Sequence, residues 1–311
     1  MIIFKNSKPL ESIERSVVST GNFDGVHKGH QQLVQTVIER ARKLDAASVI
    51  ITFEPHTRAV LHPDIEQPLL ATCAEKEILL GSLGIDALVC LPFTQQMAAM
   101  APEEFIDSIL TSQFKAIEWV MGENHSFGRN REGSKKFLHN SKSKKHINVF
   151  AIRLSSQQSA VISSTQIRAQ IQSGAIEEAV DMLGHAYLIV AKRILGVQTG
   201  STLGFPTLNF SLPPSQKVIP PPGVYAARLS AGEHTWTGAC YLGNCPTFGN
   251  RDYHIEFHSL SGDGPYPKEG EEAGLWIHSF IRKDESFPCA QRLVENMKHD
   301  IAIIRKFFAK E

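Results

Sequence analysis

SVVSTGNFDGVHKGHQQLVQTVIERARKLDAASVIITF, residues 16–53, reads as a strand, a glycine-rich turn, a helix and a second strand. SVVST (16–20) is short and β-branched, which suits a pleated strand. In QQLVQTVIERARKL (31–44), Leu33, Val37, Ile38 and Ala41 share one helical face and the charges lie opposite. ASVIITF (47–53) is apolar and β-branched and stops at a proline, the pattern of a buried strand.

The alternation continues outward. AEKEILLGSLGI (74–85) predicts a helix closed by glycine, and DALVCLPF (86–93) a further strand. PEEFIDSILTSQF (102–114) predicts a helix with Pro102 near its start. IEWVMG (117–122) predicts a strand that feeds a loop rich in glycine and charge. This β-α-β order implies a parallel, doubly wound sheet. KKFLHNSKSKKHIN (135–148) reads as a solvated basic face or loop, and STQIRAQIQSGAIEEAVDMLG (164–184) as one or two helices interrupted at Gly174. From about residue 186 the texture changes: YLIVAKRILG, GVYAARL, TWTGACYLG, IEFHSL and GLWIHSFIR are short apolar stretches punctuated by proline and glycine. They predict a small antiparallel β-barrel, followed by an amphipathic terminal helix over 291–311. Two domains are expected, 1–185 and 186–311.

Composition narrows the function. Lys plus Arg and Asp plus Glu are 32 each, so the formal net charge is zero. That argues against a broad basic footprint for nucleic acid or an anionic membrane, and leaves room for a local phosphate pocket. The chain has no apolar run of about twenty residues and no secretory signal pattern at its start, so no membrane span is expected. Five scattered cysteines without a C-x-x-C pair imply reduced thiols in a cytoplasm, with neither a disulfide frame nor a zinc site.

GNFDGVHKGH (21–30) lies where an open α/β sheet places its ligand, beyond the carboxyl end of a strand. Gly21, Gly25 and Gly29 permit tight turns and close approach. His27 and His30, three apart on the opening turn of a helix, share a face and can each donate to a phosphate oxygen. The helix end adds exposed N–H groups. H-x-G-H by itself fits two surface histidines equally well. In the second half, GVQTGSTLGFPTLNF (196–210) offers Gly196, Gly200 and Gly204 as a flap over phosphates, and it lacks the G-K-[ST] of a Walker loop. Thr207 and Asn209, two apart on a strand, share a face and present oxygens suited to a hard cation, although a plain β-turn around Phe-Pro-Thr is also open.

The decapeptide is followed by TFEPH (52–56), GENHSFGRNREG (122–133) and ISSTQIR (162–168), then by PTLN (206–209), GNCPTFGN (243–250) and IEFHSL (255–260). In that order these motifs resemble the bacterial bifunctional riboflavin kinase/FAD synthetase family, over nearly the whole chain. The resemblance implies a Rossmann-like nucleotidylyltransferase domain and a riboflavin kinase barrel. It implies ATP and Mg²⁺, with riboflavin phosphorylated to FMN and FMN adenylylated to FAD. Carried over residue by residue, His27 and His30 stabilise charge at the α-phosphorus, while Gly21, Phe23, Gly29 and Asn124 join His30 in binding ATP. Ser164, Thr165 and Arg168 contact the β- and γ-phosphates; on its own, this segment also reads as a helix cap. In the barrel, Gly196, Gly200, Gly204 and Pro206 belong to the ATP and flavin site, and Thr207 and Asn209 hold the metal. Glu256 is the general base for the riboflavin 5′-hydroxyl, and Arg282 with Asp284 shapes the pockets.

The chain departs from the family at several places. Asn124-His125 replaces Asp-Phe, Thr57 a proline, Ala191 a glycine, GPYPKEGEEAG (264–274) a Leu-Tyr-Gly turn, and Asp284 a glutamate. The irregular 264–274 segment motivates a second reading, an FAD synthetase with a weak or inactive kinase half. A third, a non-catalytic flavin- or nucleotide-binding regulator, fits poorly with the retained His27, His30, Thr207, Asn209 and Glu256. Partners are expected to be small molecules, with no nucleic acid and no membrane, in a cytoplasmic monomer or weak homo-oligomer.

Overall fold

The structure, a computed structural model, describes residues 2–5, 13–66, 68–123, 125–134, 136–137, 147–153, 156–157, 160–196, 203–244, 253–262 and 264–310. It forms two compact units, Met1–Ser163 and Ser164–Glu311.

The first unit runs β1 (Ile2–Lys5), β2 (Ser16–Thr20), α1 (Lys28–Lys43), β3 (Ala47–Glu54), α2 (Thr57–Leu61), α3 (Cys73–Ser82), β4 (Ala87–Pro92), α4 (Gln95–Ala98), α5 (Pro102–Glu104), β5 (Ala116–Gly122) and β6 (Asn148–Ile152). A short antiparallel ribbon, β7 (Ser156–Gln157) and β8 (Ala160–Val161), follows. The strands form one sheet in the order β1-β4-β3-β2-β5-β6, with every neighbouring pair parallel. The expected parallel sheet is present. Successive strands build outward from β2 on one side, and the chain then crosses to β5 on the other. The strand order therefore reverses between β2 and β5, and the crevice beyond their carboxyl ends is the place for a ligand.

Local sequence explains most of these elements. All five residues of β2 are buried, as are the six central residues of β3. Helix α1 buries Leu33, Val34, Val37, Ile38 and Ala41, the apolar stripe read from the sequence plus one neighbour. The flank of this face is tied to β5 by a bidentate pair in which Arg40 Nε and Nη2 each donate to the buried Glu118 carboxylate at 2.6 Å. The segment expected as one helix over 102–114 changes character after Glu104: Phe105–Gln113 is wound as a π-helix, with the Thr111 hydroxyl bonded to the Ile106 carbonyl at 3.0 Å. The wider turn still buries Phe105, Ile106 and Leu110 against the core around Val18, Val89 and Trp119.

The second unit opens with α6 (Ser164–Ser173) and α7 (Ile176–Leu183), broken as expected at Gly174, whose φ is +85°. Then come β9 (Tyr187–Ile194), β10 (Leu208–Phe210), β11 (Gly223–Ala231), β12 (His234–Gly243), β13 (His254–Gly262), β14 (Glu272–Lys283) and α8 (Ala290–Phe308). The six strands close a barrel in the order β10-β13-β12-β11-β14-β9, and every neighbouring pair is antiparallel. Leu229, Trp236, Cys240, Phe257 and Leu275 are completely or almost completely buried in it. Helix α8 packs Ile304 against Val224 and Ala226 on the barrel's other face.

Packing divides the chain at Ser163/Ser164, whereas the change of sequence texture lies near 185/186. The texture marks where helices give way to strands. Helix α7 already packs with the barrel: the Glu177 carboxylate accepts the Phe280 N–H of β14 at 3.0 Å.

Candidate active sites

Beyond Thr20 the chain does not run straight into α1. Phe23, Gly25 and Val26 all take left-handed backbone, with φ of 47°, 79° and 42°. For a residue with a side chain this costs roughly 1–2 kcal/mol, so neighbouring structure must hold the loop. Buried Asp24 accepts the N–H groups of Leu70 and Ala71 at 2.8 and 2.9 Å. The Gln31 amide donates to the Val26 carbonyl at 2.9 Å. Asn22 donates to the Thr57 hydroxyl at 2.9 Å and accepts the Thr57 N–H at 3.2 Å. A proline at 57 would have neither group to offer.

The loop ends at His27, the N-cap of α1, which accepts the His30 N–H on Nδ1 at 3.4 Å. The two imidazoles stack with centroids 3.8 Å apart, and Phe23 lies 5.3 Å from the His30 ring. A β-carbon at Gly29 would sit 3.3 Å from the His27 ring, so glycine leaves room for the ring to fold over the helix start. Burial holds the His30 pKa well below its ordinary 6.5, with His27 and buried Lys76 adding to the effect. His30 is therefore neutral at neutral pH, and its Nδ1 is buried with no partner among the described residues. Across the crevice, His125 follows β5 with Nε2 at 3.5 Å from the Thr20 hydroxyl. Its pKa is pushed down to about 4 by burial, reinforced by Arg131. Neutral imidazoles thus stand on both sides of the β2/β5 switch point.

Gly21, Phe23, His27, Gly29 and His30 come together in this loop and helix start. Asn124 lies outside the described residues. Ser164, Thr165 and Arg168 stand on the first two turns of α6, with Arg168 buried. Within TFEPH, His56 caps α2 by accepting the Arg58 N–H at 3.2 Å.

In the barrel, Asn209 of β10 is buried and pairs in register with Glu256 of β13, which in turn pairs with Tyr241 of β12. Residues paired in register share a face, so the three side chains form a row. The Tyr241 hydroxyl continues it by donating to Asp284 at 2.8 Å. A β-carbon at Gly196 would fall 2.1 Å from Asn209 Nδ2, so glycine there makes space for the amide. Thr207 immediately precedes β10, and Gly204 turns the chain ahead of it with φ +85°. The Pro206 carbonyl lies 2.8 Å from His258 Nδ1, which must carry the proton because a carbonyl only accepts. Gly200 lies outside the described residues, as does most of GNCPTFGN. Arg282 is engaged elsewhere: its Nε donates to both carboxylate oxygens of Asp300 on α8, at 3.1 and 3.0 Å. Segment 264–274 closes compactly, with Lys268 N–H on the Glu271 carboxylate at 2.7 Å and Tyr266 packed 5.2 Å from Trp236.

Two family models cover these two halves, FAD synthetase over residues 10–166 and riboflavin kinase over residues 183–308. The chain belongs to the bifunctional riboflavin kinase/FMN adenylyltransferase family. The Escherichia coli K12 member is 29% identical over 296 residues, covering 95% of this chain and 93% of the relative. Members from Buchnera aphidicola of Schizaphis graminum and from Listeria monocytogenes are each 31% identical, covering 97% and 94% of this chain and 96% and 93% of their own. A crystal structure described as a macrolide-efflux protein from Streptococcus pneumoniae shares the fold with a TM-score of 0.81 and 27% identity, over 98% of this chain and 99% of that one. Among the described residues, no helix is long and apolar enough to cross a membrane.

As a riboflavin kinase/FMN adenylyltransferase, the chain carries both steps from riboflavin through FMN to FAD, with ATP as co-substrate. Motif reading missed several residues now seen around the two sites. Asp24 anchors the β2–α1 loop through backbone groups more than forty positions away. Lys76 is buried on α3, with Nζ 3.5 Å from the Thr52 hydroxyl. Tyr241 completes the row beside Glu256. Of these, only Asp24 carried a local signal, its place inside the decapeptide.

Proposed function

We propose that FMN is adenylylated at the β2–α1 loop and riboflavin is phosphorylated along the Asn209–Glu256 row. The observation that carries this is the stacked pair His27 and His30, with His30 held neutral by burial, at a helix N-terminus on the sheet's switch point. A neutral imidazole donates one hydrogen bond without repelling or trapping a proton. As negative charge gathers on the α-phosphate, the nearby donors and the helix end stabilise it. In this scheme a phosphate oxygen of FMN attacks the α-phosphorus of ATP, a new P–O bond forms, and pyrophosphate leaves. No covalent enzyme intermediate is needed, and catalysis comes from positioning and charge stabilisation. Gly21, Phe23 and Gly29 shape the ATP contact together with Asn124. Ser164, Thr165 and Arg168 serve the β- and γ-phosphates.

In the barrel, Glu256 takes the proton from the riboflavin 5′-hydroxyl as that oxygen attacks the γ-phosphorus and ADP leaves. Gly196, Gly200, Gly204 and Pro206 line the approach of ATP. The side-chain oxygens of Thr207 and Asn209 suit a hard cation, and the room left by Gly196 lets the Asn209 amide adopt its position. These two residues would hold Mg²⁺, which offsets phosphate charge when bound. Arg282 acts through α8, keeping Asp284 and Tyr241 in place beside the row. Reduced thiols at Cys73, Cys90, Cys240 and Cys289 accord with a cytoplasmic enzyme.

Chromatography of products from riboflavin, ATP and Mg²⁺, repeated with FMN, tests the scheme. Both FMN and FAD are expected from riboflavin. FAD from FMN with nothing from riboflavin would mean the kinase half is inactive, and no product from either flavin would leave a non-catalytic binder.

A further inference from the structure

Cys73 and Cys90 are 17 residues apart in sequence, yet their Sγ atoms lie 3.3 Å apart. Cys73 opens α3 and Cys90 lies within β4. Glu54, at the end of β3, joins them: one ligand atom from each of the three lies within 4.8 Å of the others. The Glu77 carboxylate, one turn along α3, stands 3.7 Å from Cys73 Sγ. None of these four has a part in the proposed flavin chemistry.

We propose that Glu54, Cys73, Cys90 and Glu77 form a binding site for a thiophilic divalent cation of the zinc class. Two thiolates and two carboxylates make a mixed soft and hard donor set, which suits a borderline ion and tetrahedral coordination. Zinc–sulfur bonds of about 2.3 Å place two thiolates on one tetrahedral ion roughly 3.8 Å apart. The observed sulfurs need to part by about half an ångström to reach that spacing, whereas a disulfide at about 2.05 Å requires them to close by more than one. Binding releases the thiol protons to solvent and forms the metal–sulfur bonds, with no change of oxidation state. The filled cluster keeps net negative charge, which the N-terminal end of α3 and neighbouring Lys76 favour.

The site adjoins the nucleotide loop. Cys90 pairs in register with Thr52, whose hydroxyl bonds the Asn22 carbonyl at 3.1 Å. Sequence spacing gave no hint of a metal site, because the two thiols meet only through the packing of α3 against β4.

The test uses the full chain, reduced and stripped with a chelator, and titrated with Co²⁺ as a coloured substitute for Zn²⁺. Thiolate-to-cobalt charge-transfer absorption with tetrahedral visible bands is expected, saturating at a single ion per chain and displaced by Zn²⁺. Cys73→Ser and Cys90→Ser should abolish the charge-transfer band. Glu54→Gln, at an exposed position, should weaken binding about tenfold or more without disturbing the fold, and Cys289→Ser should leave the band unchanged. Absence of the band in the unaltered protein, or its survival in a folded Cys73→Ser variant, would overturn the proposal.

Discussion

His27 closes the start of α1 with the same ring that stacks on His30. Its Nδ1 accepts the His30 N–H at 3.4 Å while the two ring centroids stand 3.8 Å apart. A nitrogen that accepts carries no proton, so the His27 ring proton resides on Nε2. The cap thus sets the tautomer of one member of the pair and the position of the other.

Replacing His30 by alanine removes the donor proposed for the α-phosphate and leaves the barrel untouched. FAD formation from FMN should fall by about 10²–10³, with FMN formation from riboflavin unchanged when both products are separated by chromatography. Loss of both activities in a folded variant would defeat the division into two sites.

Glu256→Gln keeps the shape of the β13 side chain and removes its basicity. Riboflavin phosphorylation should drop by about 10²–10⁴, while adenylylation of supplied FMN continues at its normal rate. A kinase rate within twofold of the unaltered enzyme would assign Glu256 to structure alone.

Gly196→Ala brings a methyl group to 2.1 Å from Asn209 Nδ2, so the amide must turn away. The KM for ATP in the kinase reaction should rise about tenfold, equivalent to about 1.4 kcal/mol of binding. Adenylylation kinetics serve as the internal control. An unchanged kinase KM would show that Asn209 can move without consequence for ATP.

The pKa of His125, about 4, lies below the ordinary 6.5. The unfolded chain therefore binds a proton that the folded chain refuses. Stability contributed by the neutral ring is complete above pH 6.5 and is lost as pH falls toward 4, by up to roughly 3 kcal/mol. His30 shifts in the same direction. His125→Phe should flatten the decline in melting temperature across that window. A variant as acid-sensitive as the parent would sink the assignment.

Much of the architecture was legible because it is written in short-range periods. The stripe Leu33, Val37, Ile38 and Ala41 specifies α1, and the apolar run over 47–53 specifies β3. Elements with weak local patterns escaped. β1 has four residues and gains its identity only by pairing with β4, while α2 and α4 are single short turns.

The sequence by itself determined the parallel α/β unit, the antiparallel strands that follow, and the placing of His27 and His30 on one helical face, since each depends on residues a few positions apart. Only the tertiary structure decided that Asp24 holds the 70–71 backbone, that Asn209 meets Glu256, that Arg282 turns to Asp300, and that Cys73 lies against Cys90. Those pairs are joined by sheet order, barrel closure and helix docking. Contacts that close over tens of residues leave no local periodicity by which either partner could be recognised beforehand.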